Sequence, residues 1–121
     1  MKEIFKDVLG IEGVHGVILL SREGEIMLSQ CPDNYKNEEG RAGKADWKRL
    51  AHSLRDAVEA EFIFDRRRIY VRRSQSVFLL VILDDIAPIS MVRLNCEILQ
   101  PALDRIKTGG RLSKLLKKRI F

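Results

Sequence analysis

The stretch GVHGVILLSREGEIMLSQ, residues 13–30, decides how the rest of the chain is interpreted. An apolar run, a polar SREGE segment and a second apolar run follow one another, which is typical of two antiparallel strands joined by a tight turn. The pattern predicts strands at about 14–20 and 25–30, with the turn at Ser21–Gly24. Because His15 lies in the first strand, we ask whether it takes part in chemistry or only in a scaffold.

The composition indicates one domain with a short basic tail. The chain has 121 residues and is 45% hydrophobic, which is enough for a single core. The longest apolar run, VFLLVIL at 77–83, is too short for a membrane span, and the acidic residues near the N-terminus argue against a signal peptide, so we expect a cytoplasmic protein. The net charge is +5, and residues 111–121 carry five basic residues and no acid. We therefore predict a domain over 1–108 and a basic amphipathic tail over 109–121.

Hydrophobic periodicity predicts the remaining elements. The order is helix, two strands, helix, three strands, helix and tail. After the first hairpin and a polar loop at 31–45, Asp46 is suited to cap the second helix, while Pro101 should kink or restart the last helix before Gly109–Gly110 ends it. The predicted spans are a helix at 2–9, a helix at 47–60, strands at 61–64, 69–72 and 77–83, and a helix that begins at Pro88.

The faces of the strands predict the topology. Residues 14–20 and 77–83 are apolar on both faces, so these two strands belong in the middle of a sheet that is covered on both sides. Hairpin neighbours pair first, which predicts a five-stranded antiparallel sheet of order 2-1-5-4-3. The helix at 47–60 should cover one face alone, and the first and last helices should share the other. The predicted fold class is α/β (α+β), a three-layer α/β/α sandwich.

This topology places the third strand, EFIF at 61–64, on an edge of the sheet. The strand is short and aromatic, and it has neither the proline nor the lysine that discourages pairing with another chain. We therefore predict a homodimer in which this strand pairs with its copy and the two 47–60 helices lie side by side. The predicted dimer interface comprises Glu61, Phe62, Ile63, Phe64, Trp47 and Leu54.

The element order, together with three sequence blocks, resembles the Roadblock family, which is named for a dynein light chain and includes bacterial gliding-motility regulators. The blocks are GVHGVILLSREGEIMLS, the 47–60 helix, and the later segment from AEFIF to LQPAL, and the likeness covers about residues 1–106. The resemblance implies a profilin-like α/β sandwich that dimerises and acts as a platform or regulator for small Ras-like GTPases. The loop at 31–45 and the tail depart from the family and leave the partner open.

The residues show no catalytic, cofactor-binding or metal-binding constellation. No second ligand stands at metal-type spacing from His15, and Cys31 and Cys96 are too far apart for a redox motif. The glycines around Gly13 lack a phosphate-binding pattern and indicate a turn with close packing. Asp84–Asp85 could hold a cation, but such pairs more often end a strand before a helix. We therefore expect a non-enzymatic protein without cofactor.

Basic residues supply the remaining candidates for partner binding. Five arginines, Arg66, Arg67, Arg68, Arg72 and Arg73, surround one predicted hairpin and suit carboxylates or phosphates. They could bind an acidic patch on a protein, a nucleic acid, or acidic residues of a second subunit. The outward side chains of the 47–60 helix, Lys48, His52 and Arg55, are further candidates. The leading hypothesis is a dimeric scaffold that binds a small Ras-like GTPase; the alternative is a nucleic-acid or anionic-membrane binder that uses Arg66–Arg73 and the tail.

Overall fold

The computed structural model describes residues 2–31, 46–54, 56–64 and 67–106. Within these ranges it shows a mixed α/β arrangement, and the predicted tail lies outside them. The elements are a 3-10 helix at Lys2–Phe5, α1 (Lys6–Leu9), β1 (Val14–Ser21), β2 (Ile26–Gln30), α2 (Trp47–Leu54), β3 (Glu59–Phe64), β4 (Arg67–Arg73), β5 (Val77–Leu83) and α3 (Ile89–Asp104). None of the helices in these ranges is long and apolar enough to cross a bilayer.

The predicted strand order is confirmed. Across the described residues the sheet is antiparallel and runs β2-β1-β5-β4-β3. All residues of β1 and β5 are buried, which is why both strands are apolar on both faces and lie inside the sheet.

The sheet separates two apolar cores, as the alternation of side chains predicts. One core lies under α1 and α3, and includes Phe5, Val8, Val17, Leu19, Tyr70, Leu79, Val81, Val92, Cys96 and Leu103. The other lies under α2 alone, and includes Ile18, Leu20, Trp47, Ala51, Leu54, Ile69, Val71, Phe78 and Leu80. The predicted three-layer sandwich is therefore confirmed, with α2 on one face and α1 and α3 on the other.

The second helix is shorter than predicted. We expected a helix over 47–60, but α2 ends at Leu54 and β3 already begins at Glu59. Ala57 and Val58 fit the helical spacing, yet the Val58 carbonyl accepts a hydrogen bond from the Arg73 amide (2.9 Å) and Glu59 pairs with Arg72. From Val58 onward the chain pairs with β4, so the prediction of helix over 56–60 was wrong.

The last helix also differs from its prediction. Pro101 lies inside α3, which continues to Asp104 and ends with Arg105 as its C-cap. The predicted restart at Pro101 was therefore wrong, a kink there stays a prediction, and the helix ends before Gly109–Gly110. Pro101 is exposed, so the Glu97 carbonyl that lacks its usual amide donor faces the water side of the helix.

His15 belongs to a structural contact between β1 and the turn before α3. Its Nε2 lies 3.1 Å from Asp84 Oδ2, and Asp84 Oδ1 accepts a hydrogen bond from the Ile86 amide (3.0 Å). Burial raises the pKa of Asp84, but the hydrogen bonds from His15 and Ile86 outweigh it and leave that pKa below its usual value. Gly13 has φ +91°, and a Cβ there would lie 2.5 Å from Asp84 Oδ1. The structure therefore supports close packing at these glycines and a structural His15.

Candidate protein-interaction surface

The terminal strand β3 presents two different faces. In the described part of the chain, β3 pairs with β4 and ends the sheet. Phe62 points to the α2 side and is half-buried against the second core. Ile63 points to the α3 side and is 79% exposed. An edge strand with an exposed β-branched residue and an aromatic neighbour favours pairing with a further strand.

A groove runs between α2 and the β3 end of the sheet. Its volume is about 360 Å³, and it is lined by Asp46, Trp47, Arg49, Leu50, Ser53, Phe62 and Ile69. The lining is mainly apolar, with polar groups from the first turn of α2. Phe62 of β3 lines the groove, so a partner that paired with the outer edge of β3 could also contact the groove.

Two local contacts hold α2 in position over the sheet. Asp46 caps the helix, since its Oδ1 accepts a hydrogen bond from the Arg49 amide (3.1 Å). The turn between β1 and β2 touches the helix at Gly24, where a Cβ would lie only 2.4 Å from Lys48 Cα. Trp47 then packs into the core beneath, with 7% of its surface exposed. The position of the groove wall therefore depends on the tip of the first hairpin.

Trp47 and Leu54, both predicted at the dimer interface, are buried in the chain's own second core. Trp47 also lines the groove, so a partner seated there would reach its edge. Lys48 and His52 are exposed on the outer side of α2, as predicted. Arg55, Arg66 and the side chain of Phe64 lie outside the described part of the structure. The interface role of all these residues stays a prediction.

The arginine cluster is divided between the two faces of the sheet. Arg67 and Arg73 alternate with Arg68 and Arg72 along β4, so the first pair shares the α2 face with Ile69. Arg68 donates from Nε and Nη2 to Glu61 Oε1 (3.2 and 3.1 Å). Its Nη1 donates to the Asp84 and Ala87 carbonyls (3.3 and 3.2 Å). Arg68 thus connects β3 to the turn before α3.

Arg72 is also engaged within the chain. Its Nε donates to Gln100 Oε1 (2.6 Å), and its Nη1 donates to the Tyr70 hydroxyl (3.1 Å). The described arginines therefore do not form one continuous basic surface. Their arrangement gives no support to the nucleic-acid hypothesis.

A polar cluster that the sequence analysis missed ties β3 to α3. Glu59 Oε2 accepts hydrogen bonds from the Tyr70 hydroxyl and from Arg93 Nε (3.0 Å). The Tyr70 hydrogen bond lowers the pKa of Glu59, while burial and Glu59 together raise the pKa of Tyr70 to about 12. The helical spacing of Arg93 is visible in the sequence, but Glu59 was assigned to the predicted 47–60 helix, and the contact of the two residues depends on β3 beginning at Glu59 and on how α3 crosses the sheet. The cluster holds the edge strand in place.

The described residues contain no cluster of side chains that could hold a metal ion. Cys96 is fully buried in the first core, and this burial raises the pKa of its thiol to about 12, as for a structural core residue. What the surface offers is an apolar groove, a sheet edge and a charged helix face, and these are features of protein recognition.

Solved structures of known proteins share this architecture. No protein-family profile and no curated protein matches the chain. Among solved structures, Myxococcus xanthus MglB is 16% identical with a TM-score of 0.62, covering 87% of this chain and 89% of that one. A Roadblock/LC7 domain from Streptomyces avermitilis is 14% identical with a TM-score of 0.57, covering 85% and 97%. Acanthamoeba castellanii profilin II is 10% identical with a TM-score of 0.61, covering 86% and 95%.

The sheet order, the division of the helices and these similarities define the class: a profilin-like α/β sandwich. Within that class the chain has the Roadblock fold, as its sequence resemblance predicted.

Proposed function

We propose that this chain is a non-enzymatic regulatory scaffold that forms a homodimer and binds a small Ras-like GTPase. The observation that carries the proposal is the edge of β3 beside the groove, where an aromatic strand ends the sheet next to an apolar hollow. The Roadblock fold supports it, because the sequence resemblance implies both dimers and GTPase partners.

The dimer follows from the edge strand. Antiparallel pairing of β3 with its copy satisfies the backbone groups on its outer side and continues the sheet across two chains. A two-fold axis there brings the two α2 helices onto the same face. The two grooves then meet, and Phe62 of each chain lies at the junction.

Replacing Ile63 by lysine tests this arrangement. The side chain is exposed, so the monomer fold should not change, whereas two lysines close to the axis would repel each other and weaken pairing. We expect the dissociation constant of the dimer to rise about tenfold or more, which corresponds to about 1.4 kcal/mol. Light scattering and sedimentation over a concentration series measure it.

Ile26→Lys is the matched control, because Ile26 is an exposed isoleucine on β2 at the opposite edge of the sheet. It carries the same change of charge and should leave the dimer intact. An unmodified chain that is monomeric at tens of micromolar, or equal weakening by both substitutions, would contradict the proposed dimer.

The GTPase is proposed to dock on the α2 face, where Lys48 and His52 are exposed on both copies. Lys48→Glu should weaken binding of a small Ras-like GTPase by about tenfold, since it places a carboxylate where a basic contact is proposed. Titration calorimetry, together with the rate of GTP hydrolysis by the partner, is the measurement.

Lys6→Glu provides the control for this docking site. Lys6 is an exposed lysine on α1, on the other side of the sheet, so the substitution has the same charge change on the face that the proposal leaves free. GTPase binding that resists Lys48→Glu but is lost with Lys6→Glu would place the docking surface on the α1 and α3 side and overturn this part of the proposal.

A further inference from the structure

The outer side of α3 carries a stripe of exposed apolar side chains. Met91, Leu94 and Ile98 are 50%, 56% and 68% exposed, and their spacing of three and four residues places them along one face. Single exposed apolar residues are ordinary, but an aligned set on one helix indicates a surface that another segment covers. We call these three residues the α3 stripe.

The orientation of α3 is set by contacts on its other sides. Val92, Cys96 and Leu103 are fully buried against the sheet. Arg93 and Gln100 bind Glu59 and Arg72 on the flank that faces β3 and β4. The helix therefore cannot rotate to bury the stripe without losing both sets of contacts.

We propose that residues 111–121 of the same chain pack along the α3 stripe as an amphipathic helix. The sequence RLSKLLKKRIF spaces its apolar residues for one helical face, namely Leu112, Leu115, Leu116 and Ile120. Its basic residues fall mainly on the remaining surface. An isolated helix of eleven residues is marginal in water, so this segment needs an apolar surface to fold on.

The linker between α3 and residues 111–121 is long enough to let those residues fold back along the helix. Ile106 is buried just after the C-cap of α3, and only residues 107–110 separate it from residues 111–121, the part of the predicted tail that carries its five basic residues. From Ile106 back to Met91 the helix axis covers about 22 Å at 1.5 Å per residue. Four extended linker residues span up to about 13 Å and an eleven-residue helix about 16 Å, so the tail reaches the whole stripe. Gly109–Gly110 permits the reversal of direction.

The charge on the exposed part of α3 is mixed. Glu97 is an exposed carboxylate next to Ile98, Arg93 is paired with Glu59, and Arg105 is exposed at the C-cap. The proposal therefore depends on the apolar stripe and on the length of the linker, and exposed ion pairs add little to it. The inference is independent of the proposed dimer and GTPase site, since the stripe lies on the opposite face of the sheet from α2.

Peroxide oxidation of Met91 tests the proposal. In the full chain we expect Met91 to oxidise about fivefold more slowly than in a chain truncated after residue 110, as for a tail docked about four-fifths of the time. Met27, half-buried on β2, should oxidise at the same rate in both proteins and reports on the fold. Peptide mass spectrometry resolves the two methionines.

Two charge-matched substitutions separate docking from general effects of the tail. Leu116→Asp and Lys114→Gln each lower the net charge by one, but only the first alters the apolar face. Leu116→Asp should abolish the protection of Met91, and Lys114→Gln should retain it. Equal oxidation of Met91 in the full and truncated chains overturns the proposal. Protection of Met91 in the truncated chain that rises with protein concentration overturns it too, because it would assign the stripe to a second copy. Protection seen only with anionic phospholipid vesicles would assign it to a membrane and overturn the proposal as well.

Discussion

Replacing Trp47 by alanine is expected to lower the free energy of unfolding by about 3–5 kcal/mol. Trp47 opens α2 and is the largest side chain that this helix buries in the second core. A helix of eight residues has little stability of its own, so its position depends on such packing. The loss should release α2 from the sheet and remove one wall of the groove. Guanidinium unfolding at a fixed protein concentration measures the loss of stability. The unfolding is followed by circular dichroism, because Trp47 is the only tryptophan in the sequence and its fluorescence is lost in the variant.

Trp47→Phe keeps an aromatic ring at the same position and is expected to cost about 1–2 kcal/mol. Dimer formation and GTPase binding should follow the same ranking, with Trp47→Phe close to the unmodified chain. If alanine at this position leaves the unfolding curve unchanged, Trp47 does not anchor α2, and the groove described above is not a stable feature of the protein.

Replacing Gly24 by alanine should cost about 2–5 kcal/mol through two separate effects. Gly24 has φ +93°, a region that side chains with a Cβ rarely adopt. The added Cβ would also lie 2.4 Å from Lys48 Cα and 2.8 Å from the Trp47 carbonyl oxygen. Both neighbours are backbone, so α2 or the hairpin must move. The emission of Trp47 gives a direct measure of that movement, and guanidinium unfolding gives its cost.

Gly10→Ala is the control for this substitution. Gly10 has φ −80°, and a Cβ there meets the Lys6 carbonyl oxygen at an ordinary contact distance of 3.4 Å. Its effect should stay within about 1 kcal/mol. Equal destabilisation by the two substitutions would mean that a general loss of glycine flexibility, and not the contact with α2, explains the result at Gly24.

Much of the fold could be predicted because its information is local. The apolar parity of β1 and β5 predicted their central positions, since only a strand that is covered on both sides is apolar on both faces. The strand order that follows from these central positions also placed the aromatic strand β3 at an edge of the sheet. The errors lie where a non-local contact overrides a local pattern: Ala57 and Val58 match the helical stripe, but strand pairing with β4 ends the helix before them.

The candidate surface was less predictable than the fold. The five arginines form a single cluster along the sequence, yet the alternation of β4 divides the four that it contains, and in-chain acceptors engage Arg68 and Arg72. The contact of Glu59 with Arg93 joins residues that are 34 positions apart, so no spacing rule identifies it. Lys48 and His52 were correctly placed on an exposed helix face because helical periodicity is sufficient for that inference.

By itself, then, the sequence determined the order of the elements and the middle and edges of the sheet, because periodicity and residue type act along the chain. Only the tertiary structure decided where α2 ends, that Gly24 contacts α2, and that Met91, Leu94 and Ile98 are left uncovered by the rest of the described chain. Those outcomes depend on which segments meet across the sheet, and the free energy of such contacts cannot be inferred from any single segment of the sequence.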